Sequence, residues 1–480
     1  MNNYLVYKEL VRSADKWPHH SAIHDFEGTM SFKELLNAVD DLKEELMVLG
    51  VKPGMGIGVK ARNSREFIIA VFALLGCGAA VMPVSHQLKK PEIDEILREA
   101  RLHAMIDDNS GVIPIEYSRN LLKKVKHRLF FTFSEVPKEE VFAPHVESPA
   151  FIRFTSGTTG NSKGVVINNQ AVIERTTAAN KSLGLNEYSN VIWVLPMAYH
   201  FVVSIVLYIR VGAAITIVRE FMARDIISMT NKFKGTMLYA SPMQIKLLAS
   251  DRGEENMTTL QKVISTSSGI NPEVSMAFKK RFDKTVYQAF GIIEVGLPII
   301  NTEDDDQLLD SVGYPLPDFD VQVFDENYTI LPRGEIGMLG IKGPGMFSAY
   351  LTPPVLLKDL MVDGYFFSAD YAKIDNEGRV RIVGREKSMI NVAGNKVFAE
   401  EVENVLEDLE IIKKARVSGV PHPLMGQIIQ AEVVLDGVDD IDVESTLTYC
   451  RKRLSTFKIP QKLIVVDELE MTGSGKLKRL

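Results

Sequence analysis

The chain has 480 residues, too many for one ordinary hydrophobic core, so at least two domains are expected. Its 46% hydrophobic and 24% charged content excludes the disordered and fibrous classes. With 55 Lys and Arg against 62 Asp and Glu the net charge is −7, which argues against a general polyanion or nucleic-acid binder. Two cysteines, Cys77 and Cys450, form neither metal spacing nor a framework of bridges, and a reducing, cytoplasmic setting is the expectation.

In chain order, the first segment, "MNNYLVYKELVRSADKW", is amphipathic and charged and lacks an apolar signal core. The uncharged stretch "FIIAVFALLGCGAAVMPV", residues 67 to 84, just reaches the length of a spanning helix. Gly76, Gly78 and Pro83 break it, which predicts a buried helix running into a buried strand and no membrane span. Short apolar strands then alternate with helical periods: "AAVMPV", "HAMIDD", "NVIWVLPM", "AAITIVRE" and "GTMLYAS". Such alternation predicts largely parallel sheets with helices on their faces. Near Pro332 the style changes to glycine-rich strands, "RGEIGMLGIKGPGMFSAYL" and "GRVRIVGREKSM", which read as hairpins of a smaller β element. The last ninety or so residues read as a separate α+β unit. "FAEEVENVLEDL" has a helical apolar period, "IIQAEVVLDG" and "KLIVVDEL" read as strands, and a helix is predicted over 443–454. The boundary falls at "VGREKSM". The fold expected is therefore α/β and α+β, with a large N-terminal domain over 1–385 and a small C-terminal domain over 386–480.

The most informative stretch is "FTSGTTGNSKGVVI", residues 154 to 167, between two apolar runs. Glycines that free backbone N–H groups, five hydroxyls and one ammonium make a cradle for phosphate oxygens. The P-loop pattern fails, because it needs Gly-Lys followed by Ser or Thr, and here Lys163 lies between Ser162 and Gly164. The stretch resembles instead the phosphate-binding signature of the acyl-adenylating superfamily: acyl- and aryl-CoA synthetases, peptide-synthetase adenylation domains and firefly luciferase. Ser162 stands where that pattern has proline. "TMSFKEL", "LLGCGAAVMPV" and "RGEIGMLGIKGPGMFSAYL" resemble further family segments, so the likeness runs along nearly the whole chain.

The resemblance implies a set of roles. Thr155, Ser156, Gly157, Thr158, Thr159, Gly160 and Lys163 would cradle the phosphates of ATP. In "FGIIEVG", Phe290 and Gly291 would flank the adenine and Glu294 would hold Mg²⁺, an ion that takes carboxylate and phosphate oxygens. Asp370, in "FFSAD", would bind the ribose hydroxyls, and Arg385 the ribose or phosphate. Lys387 would be the hinge of a mobile small domain, Gly394 would line the approach of a thiol, and Lys476, in "LEMTGSGKLKR", would be the catalytic lysine. Tyr199, His200 and Phe201, with Ser267 and Ser268 of "STSSGI", would begin the acid pocket, and Gly269 of that segment would lie at the nucleotide; His200 resembles the pocket histidine of acyl- and aryl-CoA synthetases.

The chain departs from the family at several positions. Ile293 replaces a threonine that contacts the α-phosphate, Ser368 and Ala369 replace Thr-Gly before Asp370, Asn391 replaces a lysine, and Ala399 and Glu470 replace prolines. The change at Ala369 reads as mild. No Asp stands where amino-acid-activating relatives pair the substrate ammonium, and Phe201, Val202, Val203 and Ile205 suggest an apolar wall, so an aliphatic or aromatic acid is expected. The implied acceptor is the thiol of CoA or of the phosphopantetheine on an acyl carrier protein. Residues 451–480 carry eight Lys and Arg against three Asp and Glu, a charge that suits either. Two other readings share the adenylation motifs, a luciferase-like oxygenase and a catalytically weak binder of acyl-adenylate.

Overall fold

The uncharged stretch at 67–84 sets the layering of the first half of the molecule. In a computed structural model, which describes residues 5–480 except 136–139, 155–162, 220–221, 304–310, 394, 424, 439, 472–476 and 479–480, this stretch divides in two. The helix Arg65–Gly76 is capped by Ser64, whose side chain accepts from the Phe67 N–H. Every residue from Arg65 to Leu75 is buried, so the helix is apolar all round because it is covered all round. Gly78, at φ +75°, turns the chain into the buried strand Ala80–Ser85. Pro83, within the segment "AAVMPV" that reads as a strand, stands inside this strand opposite Val59. On its other edge this strand pairs with Pro149–Phe154 only at Val81, so the missing N–H falls where the ladder has ended. Among the described residues, no helix is long and apolar enough to cross a membrane.

Each of the five apolar segments contains a strand, and the strands assemble into two large sheets. One runs, in spatial order, Tyr314–Pro315, Gly296–Ile300, Val286–Ile292, Lys262–Ser265, Met237–Ala240, Asn190–Trp193, Ala214–Ile217, Ser21–Asp25 and Gly28–Ser31. The other places Val355–Leu356, Ala349–Tyr350, Gly164–Asn168 and Pro149–Phe154 beside Ala80–Ser85, Gly56–Ala61, Ala104–Asp107, Phe130–Phe133 and Asn120–Leu121. Their centres are parallel and their edges antiparallel. One apolar cluster, from Val6 to Val380, includes residues of both sheets and of the helices around them. The first long helix, Phe32–Val48, starts in a reciprocal box: Ser31 accepts from the Glu34 N–H, and Glu34 accepts from the Ser31 N–H.

The glycine-rich segments form a separate antiparallel sheet of Asp320–Phe324, Ile336–Lys342, Phe366–Ile374 and Val380–Arg385. It ends at Arg385. After one turn of 3₁₀ helix, Glu386–Ser388, the strand Met389–Val392 joins a different sheet with Asn395–Phe398, Gly426–Leu435, Ile412–His422 and Lys462–Val465. This last sheet has its own core, in which Val402 and Leu406 of the helix Ala399–Glu407 meet Val417, Ile429 and Cys450. The later helix runs Val443–Arg451, three residues shorter than its apolar period suggested. The two parts touch where Tyr371 meets Phe398, at 5.2 Å between ring centroids. Gly384 permits this approach, since a Cβ there would lie 2.6 Å from the Phe398 ring. A hydrogen bond of 3.2 Å from Asn271 Nδ2 to Asp408 Oδ1 also links them. The mixed α/β fold with a larger N-terminal and a smaller C-terminal part is as the sequence implied.

Candidate functional site

Residues 155–160, Gly394 and Lys476 lie outside the described residues, so the roles implied for Thr155, Ser156, Gly157, Thr158, Thr159, Gly160, Gly394 and Lys476 have no geometry here. What is described is the frame around the hydroxyl-rich loop. Phe154 and Gly164 are antiparallel partners, so the chain leaves and re-enters the sheet at adjacent positions. Lys163 stands 4.5 Å from the ring centroid of Tyr350, which pairs with Val165 in the same sheet. The Tyr350 hydroxyl donates to Glu294 Oε1 at 3.4 Å. Three residues far apart in sequence, 163, 294 and 350, thus meet. Tyr350 is in the quoted segment "FSAYL" but carries no motif signal of its own.

Glu294 sits in the turn between the antiparallel strands Val286–Ile292 and Gly296–Ile300. The turn closes so tightly that a Cβ on Gly291 would fall 2.6 Å from the Gly296 carbonyl oxygen. Of two buried cations that the sequence reading passed over, one bonds this turn and the other acts on Glu294 by its charge. Arg175, on the helix Asn169–Leu183 and 1% exposed, donates from Nε to the Gly345 carbonyl at 2.7 Å and from Nη1 to the Ile293 carbonyl at 3.0 Å. Arg153, in the strand before the loop, donates from Nη1 to the Tyr199 carbonyl and lies 5.1 Å from the Tyr199 ring. Arg175 Nη2 and Arg153 Nε are buried without a partner. Burial pushes both guanidinium groups down, Arg153 to about 10 and Arg175 to about 9, so both stay charged at neutral pH. Burial raises the Glu294 carboxyl, against the pull of Arg153 and Arg385 and with a push from Asp370. The Tyr350 hydroxyl is raised by burial first and then by the Glu294 charge.

Asp370 and Arg385 are cross-strand partners, and Arg385 Nε donates to Asp370 Oδ1 at 2.8 Å. Asp370 is 2% exposed, and its other oxygen, Oδ2, is buried with no donor. An acceptor in that state wants a hydroxyl. The residue before it corrects the sequence reading. Ala369 has φ +60°, a left-handed conformation that costs an alanine about 1–2 kcal/mol, so losing the family's glycine is not mild. Phe290 is partly buried against the main core.

The second crevice lies where the strand order reverses. The chain passes from Asn190–Trp193 to Ala214–Ile217 on one side, then back across to Met237–Ala240 on the other, and such a reversal opens a binding crevice at the strand ends. Trp193 and Tyr239 are register partners there, stacked at 6.2 Å and 17°. His200 meets both edge-on, at 6.2 Å from Trp193 and 6.4 Å from Tyr239. The Tyr239 hydroxyl donates to Thr266 Oγ1 at 3.3 Å, and Trp193 Nε1 is buried with no acceptor. Ser267, at φ +79°, and the exposed Ser268 and Gly269 follow Thr266. Phe201 is not a wall of this crevice. It is 1% exposed and packs on Phe67, Phe72 and Phe151 at 5.9, 6.2 and 6.0 Å. Val202 and Ile205 belong to the same core, and Val203 packs on it. Trp193 and Tyr239 belong to the same core, at 0% and 9% exposed, and His200 is the partly exposed member of the trio.

Residues 10–351 match the family of AMP-binding enzymes, and residues 401–476 match the AMP-binding enzyme C-terminal domain. Feruloyl-CoA synthase of an Amycolatopsis species is 24% identical over 484 residues, covering 97% of this chain and 96% of that one. The 2-succinylbenzoate–CoA ligase of a Geobacillus species is 26% identical over 478 residues, covering 98% of this chain and 95% of that one. The fold is that of ATP-bound MatB from Rhodopseudomonas palustris, with a TM-score of 0.85 at 22% identity, covering 100% of this chain and 97% of that one.

Three substitutions test this geometry. Ala369→Gly relieves the left-handed strain and is expected to stabilise the protein by about 1 kcal/mol in denaturant titration. A loss of stability would mean that glycine's entropy outweighs the strain. Ile293→Thr puts a hydroxyl where an isoleucine packs on the main core, and is expected to cost about 1–3 kcal/mol without faster catalysis. A faster, equally stable variant would show that the position still faces phosphate. For Glu294 the sign follows from its raised carboxyl. The unfolded chain loses this proton first, so the group's contribution to stability falls as pH rises from the ordinary glutamate value, about 4.3, through the raised one. Glu294→Gln should therefore melt progressively higher than the parent as pH increases through that window; a gap that does not change with pH would remove the assignment.

Proposed function

The chain belongs to the AMP-binding enzyme family, as an AMP-forming acid–thiol ligase, and from that premise we propose that it activates a small aromatic or aliphatic carboxylic acid with ATP and passes the acyl group to a thiol. A carboxylate is a poor acyl donor because its leaving group would be oxide. In the first step its oxygen bonds to the α-phosphorus and the bond to the pyrophosphate oxygen breaks. In the second, a thiol sulfur bonds to the acyl carbon and AMP leaves. The protein supplies position and charge.

The observation that carries this reading is the convergence of Lys163, Glu294 and the Asp370–Arg385 pair. They come from separate strands and loops, and Asp370 keeps one buried oxygen without a donor. In this reading Asp370 Oδ2 accepts from a ribose hydroxyl while Arg385 fixes its other oxygen. Lys163 and the 155–160 loop meet the phosphates. The Glu294 carboxylate has the donor chemistry for Mg²⁺, which when bound would offset charge on the departing pyrophosphate. Phe290 and Gly291 face the adenine, and Lys476 binds the carboxylate and α-phosphate together. Lys387, in the turn between the two sheets, is the hinge, and Gly394 lines the thiol's path. In this reading the acid lies beside the partly exposed Tyr199 and His200, with Trp193 and Tyr239 backing His200 from the core.

CoA is the acceptor we infer, with phosphopantetheine on an acyl carrier protein as the competing one. The cytoplasm is the compartment, since Cys77 and Cys450 are buried free thiols. The decisive experiment is acid-dependent ATP–pyrophosphate exchange against a panel of aryl, alkyl and amino acids, followed by CoA and a carrier protein as acceptors. Exchange is expected with aryl or alkyl acids and not with amino acids; no exchange with any acid would favour a binder. Lys476→Ala is expected to lose exchange by at least about a hundredfold, as for a donor aimed at developing charge, while thioester formation from supplied acyl-adenylate survives. Equal loss in both assays would take Lys476 out of the first step.

A further inference from the structure

Glu27, Glu66 and His127 come from three segments that carry none of the site residues proposed above. Glu27 is in the turn between the strands Ser21–Asp25 and Gly28–Ser31. Glu66 is in the first turn of the helix Arg65–Gly76, and His127 precedes the strand Phe130–Phe133. One ligand atom from each lies within 4.8 Å of the other two. Glu66 is 2% exposed, yet its carboxylate meets only its own backbone N–H and, at 3.9 Å, His127 Nε2. The Glu27 side chain is nearly as buried, and its Oε1 contacts His127 Nε2. The His127 side chain is 43% exposed and forms the open side of the cluster.

With a neutral His127 the charges around this cluster do not balance. Arg65 is committed to Asp25, from Nε at 2.6 Å and from Nη2, and to the Gly28 carbonyl at 3.1 Å. It reaches Glu27 only at 4.0 Å. Lys126 Nζ meets Glu27 Oε2 at 2.7 Å, but its side chain is 74% exposed, so the ion pair is weakly held and can swing into water. Against Asp25, Glu27 and Glu66 stand Arg65 and Lys126, and His127 adds a third positive charge only when protonated. With a neutral imidazole one buried negative charge is left over, at Glu66, which among the described residues has no donor from another residue within hydrogen-bond distance. A buried carboxylate in that state is costly unless it is neutralised or coordinated. A proton on His127 would balance the count, and so would a divalent ion held by the imidazole and both carboxylates; metal titration separates the two.

We propose that Glu27, Glu66 and His127 bind a divalent transition ion of the Zn²⁺ class. Two carboxylate oxygens and one imidazole nitrogen suit Zn²⁺, Co²⁺ or Mn²⁺, whereas Mg²⁺ and Ca²⁺ take oxygen ligands. Three protein ligands leave a position for water on the His127 side. The ion would tie the first hairpin, the start of a buried helix and the segment before a sheet strand, positions that chain connectivity leaves 39 to 100 residues apart.

The test uses the full chain, stripped with a chelator and titrated calorimetrically with Zn²⁺ and, separately, Mg²⁺. One Zn²⁺ per chain is expected at this cluster, with affinity at least tenfold weaker in His127→Ala and in Glu66→Gln and no equivalent Mg²⁺ site. His127 is open to solvent, so its variant should fold. Melting adds a readout that lost packing cannot reproduce. Without metal, Glu66→Gln should melt no lower than the parent, because it removes a buried charge; with Zn²⁺ the order should invert. Equal Zn²⁺ affinity in parent and variants, no binding by the parent, or equal affinity for Mg²⁺ would each overturn the proposal, and the first two would point to a shared proton.

Discussion

The guanidinium of Arg175 is the fixed point on which the nucleotide-facing geometry depends. A charge this deeply buried is tolerable only where its N–H groups and its charge find partners. It finds the carbonyls of Ile293 and Gly345, and its nearest opposing charge is Glu294. Two loops that have no sheet in common are thereby held to one helix. Gly345 is shaped by the same contact: at φ +68°, a Cβ there would fall 2.3 Å from the Arg175 backbone nitrogen. The position of Glu294 is therefore a consequence of burial chemistry on its far side, away from where a nucleotide would lie.

Around that point the charges are unequal. Arg153, Arg175 and Arg385 surround Glu294 and Asp370, and Lys163 approaches through Tyr350. The excess is positive, and it is set in partly desolvated surroundings where fixed charges act more strongly than in water. A polyanionic ligand completes such a site, and no comparable excess exists at the Trp193, His200 and Tyr239 corner. That positive excess is what the proposed adenylation needs, since ATP would bring a polyanion to the site.

Much of this was legible in the sequence, for identifiable reasons. Parallel strands are buried on both faces, so they read as continuous apolar runs, and all five such runs hold strands. The glycine–hydroxyl loop, "FGIIEVG" and "FFSAD" stand out because each resembles a motif of the family, and the roles read from them belong to the proposal. Arg153 and Arg175 were not legible, because a cation in a helix or strand is usually solvated, and only the tertiary fold closes over these two. Phe201 was misread for the converse reason. An apolar residue beside a pocket histidine can face ligand or core, and periodicity does not distinguish them.

The two sharpest departures from the family pattern obey one physical rule. Ile293 has lost the threonine hydroxyl, yet its carbonyl is anchored by Arg175, so the path of the backbone into Glu294 does not depend on the lost side chain. Ala369 has lost the glycine, yet the chain still adopts the left-handed turn that glycine favours. That turn is held by the register of Asp370 against Arg385 and by the hydrogen bond from the Asp370 N–H to Ser368 Oγ at 3.3 Å. In both cases a local preference has been overridden by surrounding structure whose effect is to keep an acidic side chain in place. Local strain persists where the neighbouring contacts over-determine the backbone, and here those contacts fix Glu294 and Asp370. In this chain the backbone at both positions is held by contacts other than the side chains that depart from the pattern, and those contacts keep the two acids in place.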